Sequence, residues 1–273
     1  MSEHLPQMLR AGVGEPVILL HGVTGSASMW QRVVPIVGRE YDAIAPTALG
    51  HLGGREPRVR PARIAHLLDD LELTMDRLEI ETAHFAGNSM GGWMALEMAH
   101  RGRARSICAL SPAGTWDGDS RAHRMSRRLI KASSLGARAV RPTLGVSSRS
   151  AAFRKLALLG TALHGDRVSP AAFRADVEAV AGCAVTADIV ATGETLQSID
   201  PAPCPISIVW SEIDRILPIG INGGLARKLV PGAEWSVLPG VGHVPMFDDP
   251  ELVAETILGV ARRAEAATAS PAN

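Results

Sequence analysis

The sequence predicts an α/β fold: a mostly parallel, twisted sheet with helices on both faces and a helical segment inserted near its middle. Three observations predict it. Short apolar, β-rich runs alternate with amphipathic helical stretches between residues 16 and 110, which is the pattern of βαβ units. Strand character then vanishes from about Ala113 to Ser198 and returns at Ile206. With 273 residues, the chain is long enough for one large α/β domain carrying a sizeable insertion.

The elements follow in order. Pro16–Leu20 is a short apolar run that stops at His21-Gly22 and reads as a buried strand. Met29, Val33 and Val37 have helical spacing. Tyr41–Ala45 reads as a second strand, stopped by Pro46. Pro61 opens a long helix whose Ile64, Leu67, Leu68, Leu71, Met75 and Leu78 share one face. Ala83–Ala86 is a third strand that breaks at Gly87, Met90 to His100 a helix, and Ser106–Leu110 a fourth strand. In the insertion, Leu129–Ala132, Phe153–Leu159 and Phe173–Val180 read as amphipathic helices. Strands at Ile206–Trp210 and Trp235–Leu238 flank a helix near Ile219–Leu229, and a last helix runs from about Pro250 to Arg262. The small, polar stretch from Ala264 onward is expected to fray. Before Val17 there is room for one strand.

Composition narrows the function classes. Hydrophobic residues make up 46% and charged residues 21%, with no net charge. That is the profile of a globular chain, and it lacks the basic excess of a nucleic-acid binder. No apolar stretch reaches the ~20 residues of a membrane helix, and the opening Met1–Gln7 is polar. The scattered Cys108, Cys183 and Cys204 do not form a disulfide framework. A cytoplasmic protein acting on a small molecule is expected, with Cys108 a buried, inert thiol.

The chemistry centres on Gly87-Asn88-Ser89-Met90-Gly91, a G-x-S-x-G pattern between a predicted strand and a predicted helix. That context is what a nucleophile elbow requires. A Cβ at either glycine would collide with the neighbouring strand or helix. A serine hydroxyl needs a base, and His243 sits on a loop after the last predicted strand, on the same carboxyl edge as Ser89. The base needs an acid to fix its tautomer. Asp214 follows the preceding strand, with Glu212 as its competitor, while Asp248 and Asp249 read as the start of the final helix. An oxyanion hole is expected from the backbone N–H groups of Val23 and Met90. Thr24 either assists there or serves the turn.

With these residues on the page, the sequence resembles the α/β-hydrolase superfamily. The likeness runs from His21-Gly22 through Gly87–Gly92 and Asp214 to Gly242-His243. It implies an α/β-hydrolase core over 1–112 and 199–273. Residues 113–198 would then be a helical cap that forms much of the acyl or leaving-group pocket. It also implies a Ser89–Asp214–His243 triad and no cofactor or metal. The segment 46–54 departs from the family pattern, having neither its Asp nor its final Ser, and is expected to be shaped differently. His51 within it reads as structural or solvent-exposed.

A serine at the elbow argues against haloalkane dehalogenases and epoxide hydrolases, whose relatives use Asp there. The expected activity is hydrolysis of a carboxylic ester or thioester of a small to medium apolar acyl substrate through an acyl-enzyme. The Gly-Asn-Ser-Met-Gly-Gly elbow is also similar to that of C–C hydrolases of ring-fission products. That reaction, cofactor-free perhydrolase or acyltransferase chemistry, and a non-catalytic binding role stand as alternatives. Phe153, Leu156, Leu158 and Leu159 either line an acyl pocket or pack. Arg121, Arg124, Arg127 and Arg128 read as a solvated face or as an attractor for anions.

Overall fold

A computed structural model describes residues 5–116 and 120–269. Among the described residues seven strands form one sheet: β1 (Met8–Ala11), β2 (Pro16–Leu20), β3 (Asp42–Pro46), β4 (Ala83–Asn88), β5 (Ala104–Leu110), β6 (Ile206–Ser211) and β7 (Glu234–Leu238). The order across the sheet is β1-β3-β2-β4-β5-β6-β7. Only β1 runs antiparallel, against β3; the other pairs are parallel.

The central strands are buried on both faces, and their alternation assigns each side chain to one of two cores. Ile18, Phe85, Ile107 and Ile208 point into one core, against α2 (Ile64–Arg77) and α3 (Met90–His100). Val17, Leu19, Ala86, Cys108 and Val209 point into the other, against α1 (Val34–Val37) and α11 (Pro250–Ala269). Between β5 and β6 lie α4 (Arg121–Val140), α5 (Leu144–Ser147), α6 (Ala151–Ala157), α7 (Pro170–Gly182) and α8 (Thr186–Ala191), with no strand among the described residues. The chain then forms α9 (Gly224–Leu229) before β7 and α10 (Pro245–Asp248) before α11.

Two expectations change. The apolar spacing from Met29 to Val37 is not one helix: a short 3-10 turn spans Ala27–Trp30, and α1 starts only at Val34. Pro35 explains the break, because its ring has no N–H and clashes with the carbonyl four residues earlier in a continuous helix. The stretch after Ala264 does not fray at once. Helix α11 continues to Ala269, with Ala264 buried and the Tyr41 hydroxyl donating to Glu265 at 3.1 Å. The rest of the expected tail lies outside the described residues, as does the side chain of Arg121.

Helix α3 approaches the sheet so closely that two glycines are required. A Cβ on Gly87 would stand 2.1 Å from the carbonyl oxygen of Gly91, and a Cβ on Gly91 would stand 2.1 Å from that of Leu20. Both obstacles are backbone, so no rotamer change relieves them. Gly91→Ala is therefore expected to destabilise the protein by about 1–3 kcal/mol or more. Thermal unfolding should show a fall of several degrees, at roughly 2–4 °C per kcal/mol for a chain of this size; an unchanged midpoint would contradict the close approach.

Candidate active site

The site forms where the parallel strands end. Ser89 joins β4 to α3 with φ 55° and ψ −115°, a left-handed backbone that costs a non-glycine residue about 1–3 kcal/mol. The surroundings hold it there. Its N–H donates to the Leu110 carbonyl at 2.9 Å, and its own carbonyl accepts from Ala113 at 2.9 Å and Trp93 at 3.0 Å.

Asp214 lies three residues beyond β6. Its carboxylate is buried and fully used. Oδ2 accepts from His243 Nδ1 at 2.7 Å, while Oδ1 accepts from the N–H groups of Ile216 at 2.9 Å and Leu217 at 2.7 Å. A carboxylate oxygen accepts, so His243 Nδ1 is the donor in this contact. Glu212, the competing acid, turns outward and accepts from the Gly240 N–H at 2.7 Å. The other two acids divide. Asp249 caps α11 through the Leu252 N–H at 2.9 Å, as expected. Asp248 instead turns inward and accepts from Gly242 at 2.7 Å, Leu163 at 3.0 Å and His164 at 2.6 Å.

Asn88 is a residue the sequence reading passed over. It is fully buried, and its Nδ2 donates to the His243 carbonyl at 2.8 Å. The residue before Ser89 thus ties β4 to the backbone of His243. The available signal was a polar side chain closing an otherwise buried strand.

Val23 follows β2 and Met90 opens α3. Among the described residues neither N–H has an acceptor, as is usual for the first turn of a helix. A Cβ built on Gly22 comes within 3.4 Å of the Ser89 Cβ, so this loop runs close beside the serine. Thr24 is buried with φ 69°. His21 braces the loop: its Nε2 accepts from the Ala48 N–H at 3.0 Å, and its Nδ1 donates to the Gly22 carbonyl at 2.8 Å. Burial and the neighbouring His51 push its pKa down to about 3, so it stays neutral. His51 is itself buried and stacks edge-on against His21 at 4.9 Å. The 46–54 loop turns away toward the insertion, where the Gly50 carbonyl accepts from Ala184 at 2.9 Å.

Ser89, His243, Val23 and Thr24 open onto one cavity of about 500 Å³. Helices α4, α6 and α7 supply its apolar wall; Phe153, Leu156 and Leu158 face it, whereas Leu159 does not. The insertion is latched to both loops that carry the Asp–His pair. Ser126 Oγ donates to the Ile216 carbonyl at 2.6 Å, beside Asp214. The Val244 N–H donates to Thr161 at 2.8 Å, and Asp248 grips Leu163 and His164, beside His243.

One carboxyl in the wall was not foreseen. Asp176 of α7 faces the cavity, and burial pushes its pKa up to about 7. Of the other residues on the cavity wall, His243 is the one ionisable imidazole or acid among those described. The charged residues of α4, such as Arg128 and Lys131, and Arg141 beyond it, do not line the cavity; Arg141 pairs with Glu178 at 2.8 Å.

The Alpha/beta hydrolase family model matches residues 17–256, and the chain belongs to that family. The chain is 34% identical over 200 residues to epoxide hydrolase EphH of Mycobacterium tuberculosis, covering 71% of this chain and 92% of that protein. Among solved structures, a thermophilic esterase from Thermogutta terrifontis superposes with a TM-score of 0.71 at 22% identity, over 94% of this chain and 93% of that one. A meta-cleavage product hydrolase from Pseudomonas fluorescens IP01 gives 0.70 at 22% identity, over 94% of each chain. These two likenesses share the fold. Among the described residues no helix is long and apolar enough to cross a membrane.

The raised pKa of Asp176 makes stability depend on pH. The unfolded carboxyl ionises near 3.8 and the folded one near 7, so between these values the folded state holds a proton that the unfolded state has lost. Stability contributed at this position therefore falls as pH rises from about 4 to about 7. Asp176→Leu removes that fall. Its midpoint, relative to the parent, should be higher at pH 8 than at pH 4 in thermal unfolding; an identical offset at both would contradict the enclosed carboxyl.

Proposed function

We propose that this hydrolase of the α/β family is a serine hydrolase that cleaves a carboxylic ester or thioester of a small to medium apolar acyl substrate. The observation that carries the proposal is the buried 2.7 Å contact between Asp214 and His243, opening with Ser89 onto one largely apolar cavity. That volume falls in the range of about 300–1,000 Å³ usual for small-molecule sites. Helices α4–α8, within 113–198, act as the cap.

The reaction runs in two steps. His243 Nε2 takes the proton of Ser89 Oγ as that oxygen attacks the substrate carbonyl. The N–H groups of Val23 and Met90 stabilise the tetrahedral oxyanion, each donor contributing about 3 kcal/mol. Protonated His243, held by Asp214, donates to the leaving group. Water then repeats the cycle at the acyl-enzyme, releasing the acid and restoring Ser89. Asn88 acts as a positioning residue, fixing the backbone that carries the imidazole.

The relative named as an epoxide hydrolase invites a second substrate class, and the chemistry of Ser89 weighs against it. A serine oxygen that opens an epoxide forms an ether. An ether has no carbonyl for water to attack, so the enzyme would stop after one turnover.

Hydrolysis of p-nitrophenyl esters from acetate to palmitate tests the proposal, with Ser89→Ala beside the parent. The expected outcome is turnover with a chain-length optimum, reduced by at least a thousandfold in Ser89→Ala, and no sustained turnover of styrene oxide. Retention of more than a few per cent of the activity in Ser89→Ala would overturn the assignment of the nucleophile.

A further inference from the structure

Helix α7 turns Phe173, Asp176, Val177 and Val180 toward the cavity, the i, i+3, i+4, i+7 stripe of one helical face. Three of these positions are apolar and one is a carboxyl. Among the described residues Asp176 has no hydrogen-bond or ion-pair partner, and no neighbouring charge offsets its desolvation. Its surface is only partly covered, and it lines the cavity, so a ligand in the cavity can reach it.

An acid in this place opposes the fold. A carboxyl in an apolar wall without a donor is unfavourable, and a leucine or valine would extend the stripe. Local rules are broken in this way where a ligand completes the site. Other ionisable groups on the wall do not account for it: the imidazole of His243 is already bonded to Asp214. What Asp176 lacks is a hydrogen-bond donor, and the open cavity is the side from which one can arrive.

Building on the serine-hydrolase reading, we propose that Asp176 is a specificity residue that accepts a hydrogen bond from a hydroxyl or ammonium group carried by the substrate, apart from the bond broken at Ser89. The preferred substrate is then an ester with an apolar chain bearing a donor group. Above pH 7, where the Asp176 carboxyl is ionised, a substrate with a carboxylate at that point is rejected by like charge.

The test compares, at pH 8.5, p-nitrophenyl octanoate with its 8-hydroxy, 8-amino and 8-carboxylate counterparts, and decanoates substituted likewise at the chain end, on the parent and on Asp176→Leu. The parent should favour the hydroxy or amino ester over the carboxylate by about tenfold or more in kcat/KM. The Leu variant should lose that preference and accept the plain ester at least as well. A larger gain for amine than for alcohol marks an ion pair; equal gains mark a neutral hydrogen bond. Calorimetric binding of octylamine, 1-octanol and octanoate to Ser89→Ala gives a readout independent of turnover. Selective binding there, lost on adding Asp176→Leu, supports the role of Asp176 even if no ester is cleaved, in which case the serine reading alone fails. Ester turnover with the same ranking in parent and Leu variant overturns the role of Asp176 and leaves Ser89 standing. If the Leu variant does not fold, Asp176→Ala, which also removes the acceptor, replaces it. In any case, a parent that binds and turns over the carboxylate ligands as well as the donors overturns the proposal.

Discussion

The buried carboxylate of Asp214 is the constraint on which the site depends. An anion removed from water must have its lone pairs met, and here three donors meet them: His243 Nδ1 and the N–H groups of Ile216 and Leu217. The two backbone donors belong to the loop that carries the acid, so the loop closes around its own charge. Trp210 Nε1 donates to the Leu217 carbonyl at 2.9 Å and fixes the far side of that loop against β6. With Oδ1 so engaged, Oδ2 has one orientation open to it, and that orientation sets the plane and tautomer of His243.

From that point the geometry propagates outward. Asn88 ties the His243 carbonyl to the end of β4, next to Ser89. Asp248 holds Gly242 on one side and Leu163 and His164 on the other. The hydrogen bonds that seat the insertion lie on the same two loops as those that aim the imidazole. The wall of the cavity and the Asp214–His243 pair are therefore one mechanical assembly, and a change in the packing of α4 or α6 reaches the loops of Asp214 and His243 directly.

Much of this was legible in the sequence because it depends on local rules. Strand periods and glycine at tight turns located the sheet edge, and the chain order of Ser89, Asp214 and His243 pointed to the Asp214–His243 contact and to the cavity that Ser89 and His243 both line. The glycines at 87 and 91 were legible for a steric reason, and the distances to backbone oxygens bear that reason out. Other features depend on long-range contacts that leave no periodic trace. The inward turn of Asp248 needs Leu163 and His164, some 85 residues away. The clamp by Asn88 spans 155 residues. Asp176 sat within a stretch read simply as amphipathic, since one polar residue in a helix face is ambiguous until the opposite wall is known. Pro35 was a missed local signal: the apolar spacing around it was given more weight than its missing N–H.

The central claim is that Asp214, through His243, makes Ser89 nucleophilic. The rate of Ser89 phosphonylation by a fluorophosphonate, followed by intact mass and located by peptide mapping, tests it without any choice of substrate. The account predicts a single adduct on Ser89 and a rate lower in Asp214→Asn by several orders of magnitude, roughly 10⁴ in the best-characterised triad, with Glu212→Gln close to the parent. Equal rates in the parent and Asp214→Asn, or an adduct on another residue, would contradict it.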